Sequence, residues 1–107
     1  MDMAQLARAL QIVNTLDPGG FHLHHFQILI TVWEAGDAGC TYADIEGRHC
    51  LSNAAVSRSV NAMSGFARHR KNAQGLVEIF RCPEEGRRYR IRLTNKGKSL
   101  MNSIEGL

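Results

Sequence analysis

A chain of 107 residues, 44% of them hydrophobic, can bury one core but has little room for a second domain. No run reaches the roughly 18 apolar residues of a membrane-crossing helix, and the first residues lack the basic-then-apolar order of a secretory signal, so a cytoplasmic protein is expected. The net charge of +3 hides a division: residues 1–47 hold one basic residue against six acidic ones, a net of −5, whereas residues 48–98 hold twelve Lys and Arg against three Glu, a net of +9.

Taken in chain order, residues 3–16 place Met3, Leu6, Leu10 and Val13 at a 3, 4, 3 spacing, with Ala9, Ile12 and Leu16 as a second apolar row. That helix is too apolar around its circumference to be satisfied by a single neighbour. Asp17-Pro18-Gly19-Gly20 breaks it. A helix over His22–Ala35 follows, with Leu23, Phe26, Ile30 and Trp33 on one stripe and Ile28, Leu29 and Val32 around it, the pattern of a central core helix. Residues 36–39 read as a loop. Thr41 and Asp44 then form a capping pair for a short helix ending near His49.

Leu51 enters the core at the next turn, and Ser52 caps a helix over Asn53–Met63. Val56, Val60 and Met63 recur at i, i+4 and i+7, which gives this helix one narrow buried stripe. Its other face carries Ala54, Ser57, Arg58 and Asn61. Small and hydrogen-bonding side chains around one Arg let a helix approach a major groove closely enough for Arg or Asn to reach base edges. An ordinary solvent-exposed face is the plainer alternative, and the capped helix just before it favours a helix-turn-helix over residues 41–63.

A basic connector, Arg68-His69-Arg70-Lys71, leads into a change of period. Residues 76–82 read as a strand, 83–86 as a turn and 87–94 as the hairpin partner, together a two-stranded wing over residues 76–94. Tyr89, Ile91 and Leu93 alternate with Arg88, Arg90 and Arg92, which places those three arginines on one side with Arg87 near the tip. A phosphate backbone would relieve their repulsion; charges that keep an exposed edge from pairing with another sheet are the structural alternative. Thr94 caps a last helix with Leu100, Ile104 and Leu107 at a 4, 3 spacing and Met101 beside them.

Cys40, Cys50 and Cys82 make an odd number without a CxxC spacing, so free thiols are expected. Neither Cys40, His49 and Cys50 nor His22, His24 and His25 has the spacing of a structural zinc site, and no metal or other cofactor is expected. No Ser, His and Asp set, carboxylate pair or phosphate loop has usable spacing, so the residues do not suggest an enzyme.

The resulting α+β, mostly α, order of helix, core helix, helix-turn-helix, wing and final helix resembles the winged helix-turn-helix transcription regulators of the MarR type. TYADIEGRHCLSNAAVSRSV resembles that family's helix-turn-helix, and GLVEIFRCPEEGRRYRIRLTNKGKSL, from Gly75 to Leu100, resembles its wing with the Leu-Thr-x-x-Gly step into the last helix. Cys50 stands where such proteins commonly have Gly, His49 where an apolar residue is usual, and the 64–74 connector is longer. The resemblance implies a homodimeric double-stranded DNA-binding regulator, with repression the expected outcome, whose paired recognition helices enter adjacent major grooves while the wings reach the flanking backbone or minor groove.

On that reading Ser52, Asn53, Ala54, Ser57, Arg58 and Asn61 read bases or hold the helix start on a phosphate. Arg68, Arg70, Lys71, Arg87, Arg88 and Arg90 supply sequence-independent attraction. Residues 1–16 and 95–107 are the dimerisation helices, through Leu6, Leu10, Val13, Leu100 and Ile104. The last helix is shorter than is common in relatives, so a small-molecule effector is not expected. An adaptor that docks the same basic surface onto an acidic protein is the other reading.

Overall fold

The computed structural model describes residues 2–15, 22–64, 75–81 and 89–106. Its five helices are α1 (Met3–Asn14), α2 (Leu23–Ala35), α3 (Tyr42–His49), α4 (Asn53–Met63) and α5 (Asn95–Glu105). Three short strands, β1 (Cys40–Thr41), β2 (Val77–Arg81) and β3 (Tyr89–Leu93), form an antiparallel sheet in the order β1-β3-β2. The chain is therefore a mostly helical winged helix. Among the described residues no helix is long and apolar enough to cross a membrane.

Side chains close the exposed amides at four helix starts. Asp2 and Gln5 form a capping box on α1, and Thr41 and Asp44 form the expected one on α3. The Ser52 and Thr94 hydroxyls accept from Ala55 N–H and Gly97 N–H, both at 3.1 Å.

α2 is the central helix, but the side it buries differs from the expected stripe. His25, Phe26, Ile28, Leu29, Thr31 and Val32 are buried, Ile30 and Trp33 are half-buried, and Leu23 is 68% exposed. A helix apolar on nearly all sides carries little information about which side faces in. Ile28, Leu29 and Val32 join Ile45 of α3, Val56, Val60 and Met63 of α4, and Val77, Ile91 and Leu93 of the hairpin in one core.

β1 is a third strand where the sequence suggested only a loop and a cap. Cys40 pairs with Ile91 and Thr41 with Arg90. Two residues are too few to show a strand period. Gly39, at φ +76°, makes the pairing possible: a Cβ there would lie 2.7 Å from the Ile91 carbonyl oxygen.

The hairpin register runs from Val77↔Leu93 to Arg81↔Tyr89. Its expected turn, with Arg87 and Arg88, and the connector with Arg68, Arg70 and Lys71 lie outside the described residues. The root of the hairpin is fastened to the end of α4: Leu76 N–H donates to the Met63 carbonyl at 2.7 Å and Gly75 N–H to the Ser64 carbonyl at 3.3 Å. Thr94 N–H donates to the Leu76 carbonyl at 3.0 Å, so α5 starts from the same point.

α1 buries Ala9 and Val13, while Met3, Leu6 and Leu10 are exposed. Between α1, α2 and α5 lies an apolar cavity of about 290 Å³ lined by Leu6, Phe26, Ile30, Trp33, Met101 and Ile104 among others.

Candidate nucleic-acid interface

α4 separates its residues by periodicity. Val56, Val60 and Met63 face the core as their spacing predicts, joined by Ser59 and Ala62. Ser59 was not legible as a buried residue; its hydroxyl donates to the Ala55 carbonyl at 2.9 Å, which satisfies it inside the helix. On the opposite side Ala54, Arg58 and Asn61 are exposed together, with Ser57 half-buried beside them, while Ser52 and Asn53 are exposed at the helix start. Of the residues expected to read bases, Ala54, Ser57, Arg58 and Asn61 thus share one face of small and polar side chains, and Ser52 and Asn53 stand at the N-terminal end of the helix.

Two contacts and one turn set that face. Cys50 ends α3 in the left-handed conformation, at φ 53° and ψ 43°, and both its N–H and that of Leu51 donate to the Glu46 carbonyl. A Cβ in this conformation is strained, which is why glycine is the usual residue there. His49, in place of the usual apolar residue, places its Nε2 2.7 Å from the Thr31 hydroxyl of α2. Arg48 meets Glu34 of α2 at 3.1 Å on the surface. α3 is therefore tied to α2 by a partly buried hydrogen bond and an exposed ion pair.

The hairpin arginines are placed differently from the open row that the alternation suggested. Arg90 and Arg92 do share a face, but their charges are engaged within the protein. Arg92 pairs with Glu78, directly opposite in register, and its guanidinium lies 4.2 Å from the Phe80 ring centroid. Arg90 donates to the Gly39 carbonyl at 3.3 Å. Lys98 of α5 meets Asp37 at 2.7 Å; the hydrogen bond and charge of Lys98 hold the Asp37 carboxyl below its usual range, with Arg92 adding to the effect. Carboxylates, a carbonyl and an aromatic ring thus offset repulsion that had been assigned to a phosphate backbone. Composition alone could not show this, because Glu78 and Asp37 are brought to the arginines only by the hairpin register and the packing of α5.

The remaining titratable groups fit structural roles. Burial pushes the Cys40 thiol up to about 11, the charge of Asp44 adds to this and Arg90 opposes it, whereas Cys50 is exposed. His22, His24 and His25 cluster at the start of α2 with ring centroids 4.6 to 5.3 Å apart. Burial, then the neighbouring His22, lowers the pKa of His24. The proposed dimer residues divide between core and surface. Val13 and Ile104 are buried within the protomer and Leu100 is half-buried, leaving Leu6 and Leu10 exposed beside Met3.

No protein-family model and no curated protein matches the chain. Solved structures do. A mutant of S. aureus MepR bound to an oligodeoxyribonucleotide aligns over 96% of this chain and 67% of its own, with a TM-score of 0.74 at 18% identity. A mutant of E. coli MarR complexed with operator DNA aligns over 97% and 68%, with a TM-score of 0.66 at 18% identity. The fold is that of the MarR-type regulators. PcaV of Streptomyces coelicolor, solved in complex with its natural ligand, shares the fold at 22% identity, with a TM-score of 0.64 over 99% of this chain and 74% of its own. Within this MarR-type fold α3 and α4 are the helix-turn-helix, and β2 and β3 are the wing.

Proposed function

We propose that the protein is a sequence-specific double-stranded DNA-binding transcription regulator that works in the cytoplasm as a homodimeric repressor. The observation that carries the reading is the exposed face of α4. Ala54, Arg58 and Asn61 stand on the side opposite Val56, Val60 and Met63, free of bulky apolar groups, with Asn53 exposed at the helix start, in a fold that has been solved on operator DNA in other proteins. Arg58 and Asn61 would reach base edges, and Ser52, Asn53, Ala54 and Ser57 would permit close approach and hold the helix start on a phosphate. Arg68, Arg70, Lys71, Arg87 and Arg88 would add sequence-independent attraction. Arg90, tied to Gly39, would contribute its charge more than a direct contact.

Exposed Met3, Leu6 and Leu10 of α1, with exposed Leu23 nearby in sequence, supply an apolar surface for a second copy, whose two-fold symmetry would match a palindromic site. Selection from randomised duplexes tests the reading and should enrich a partly palindromic sequence. Failure to enrich any sequence, with retention of an acidic protein, would favour the adaptor reading instead. Sedimentation that finds a monomer at every concentration would remove the homodimer.

A further inference from the structure

The hairpin divides its side chains between two faces. Val77, Ile79 and Arg81 stand opposite Leu93, Ile91 and Tyr89 in register, so all six share one face. Val77, Ile91 and Leu93 belong to the same core as Ile45 of α3 and Val56, Val60 and Met63 of α4. That face is turned to the core, where β3 meets α2, α3 and α5, and the Arg81–Tyr89 pair continues it past the last buried layer. Tyr89 is close enough to Tyr42, the first residue of α3, to act electrostatically on its hydroxyl. Arg90 and Arg92 occupy the opposite face.

Arg81 is also prepared to bind. Its guanidinium lies 5.1 Å from the Tyr89 ring centroid, and Nη2 donates to the Tyr89 hydroxyl at 3.2 Å. Both residues are exposed, and among the described residues Arg81 pairs with no carboxylate, in contrast to Arg92. Among the described residues one of its five N–H donors is committed, which leaves others in a planar fork that fits a phosphate. Support from the ring restricts the side chain before any ligand arrives and so lowers the entropy cost of contact.

We propose that Arg81, held by Tyr89, is a backbone-phosphate contact of the wing when the protein sits on duplex DNA. The assignment rests on the DNA reading above. It differs from the arginine row in that Arg81 is the described hairpin cation on the core-facing side, the side where Tyr89 approaches Tyr42 of α3.

The experiment is binding of the full chain to a duplex enriched by the wild-type protein, across a salt series. Arg81→Gln should lower the slope of log K against log salt by about 0.9 and weaken binding to unrelated duplexes by the same factor. Tyr89→Ala should reproduce part of that loss with Arg81 intact, and Tyr89→Phe should retain more because the ring remains. Arg92→Gln should leave the slope unchanged. An unaltered slope in Arg81→Gln, or a loss confined to Arg92→Gln, would overturn the assignment while leaving the DNA reading in place. No binding by the wild type to any duplex would remove both.

Discussion

His49 donates its Nε2–H to the Thr31 hydroxyl across 2.7 Å, joining the end of α3 to the middle of α2. The direction follows from the hydroxyl's other bond, since Thr31 donates its own proton to the Gln27 carbonyl at 3.2 Å and keeps lone pairs for the imidazole. Thr31 is buried, so Thr31→Val would leave a partly buried ring N–H without an acceptor. The expected cost is about 1 to 3 kcal/mol by urea unfolding. Adding His49→Leu should recover much of it, because the apolar pair no longer contains an unmet donor. A neutral Thr31→Val would show that the bond contributes nothing to the position of α3.

Cys50 offers a test of opposite sign. A left-handed conformation costs an L-residue roughly 1 to 2 kcal/mol, and glycine relieves that strain while losing about 0.5 to 1 kcal/mol of backbone entropy on folding. Cys50→Gly is therefore expected to raise the unfolding free energy by about 0.5 to 1 kcal/mol, and Cys50→Val to lower it. The exposed side chain makes other contributions small. A Cys50→Gly protein less stable than wild type would show that the thiol makes contacts that outweigh the strain.

Much of this fold was legible because its helices announce themselves through caps and period. Thr41 with Asp44, Ser52 and Thr94 open helices where expected, and Val56, Val60 and Met63 are the buried stripe of α4. Less legible were features that arise from long-range pairing. β1 is too short for a pattern, Ser59 is a polar residue on the buried stripe whose hydroxyl is satisfied within its own helix, and α2 is apolar on too many sides to reveal its inner one. The candidate interface divides along the same line. Local periodicity identified the α4 face, whereas Arg81 became distinguishable from Arg90 and Arg92 only once register and core contacts assigned each hairpin residue to a face.

The two described cysteines should react very differently. With the Cys40 thiol raised to about 11 from an ordinary 9.0, the native thiolate fraction near neutral pH falls about a hundredfold on that shift alone, and burial slows access further. Brief alkylation of the native protein followed by peptide mass mapping should label Cys50 and spare Cys40, and urea should expose both. The fold favours the neutral Cys40 thiol. Its contribution is therefore complete below the unfolded thiol's pKa and lost as pH rises from about 9 towards 11. Equal labelling of Cys40 and Cys50 in the folded protein would contradict the burial of Cys40.

Gly97 should be the least replaceable glycine among the described helices. It lies in the first turn of α5, where its N–H donates to the Thr94 hydroxyl at 3.1 Å, and that hydroxyl donates in turn to the Gly75 carbonyl at 2.6 Å. A Cβ at Gly97 would collide with the Leu76 carbonyl oxygen, which already accepts from Thr94 N–H, while Leu76 N–H holds the end of α4. The obstacle is backbone rather than a flexible side chain, so Gly97→Ala must shift the point where α4, the wing and α5 meet. Its expected cost is about 3 kcal/mol, the upper end for overpacking. Gly47 is the control: it is helical and exposed, a Cβ there meets nothing within 4 Å, and Gly47→Ala should stabilise by about 0.5 to 1 kcal/mol through helix propensity. The two variants make the same chemical change in helices, so opposite shifts in urea midpoint isolate packing from propensity. Shifts of the same sign would leave the junction at Leu76 without the tight approach ascribed to it.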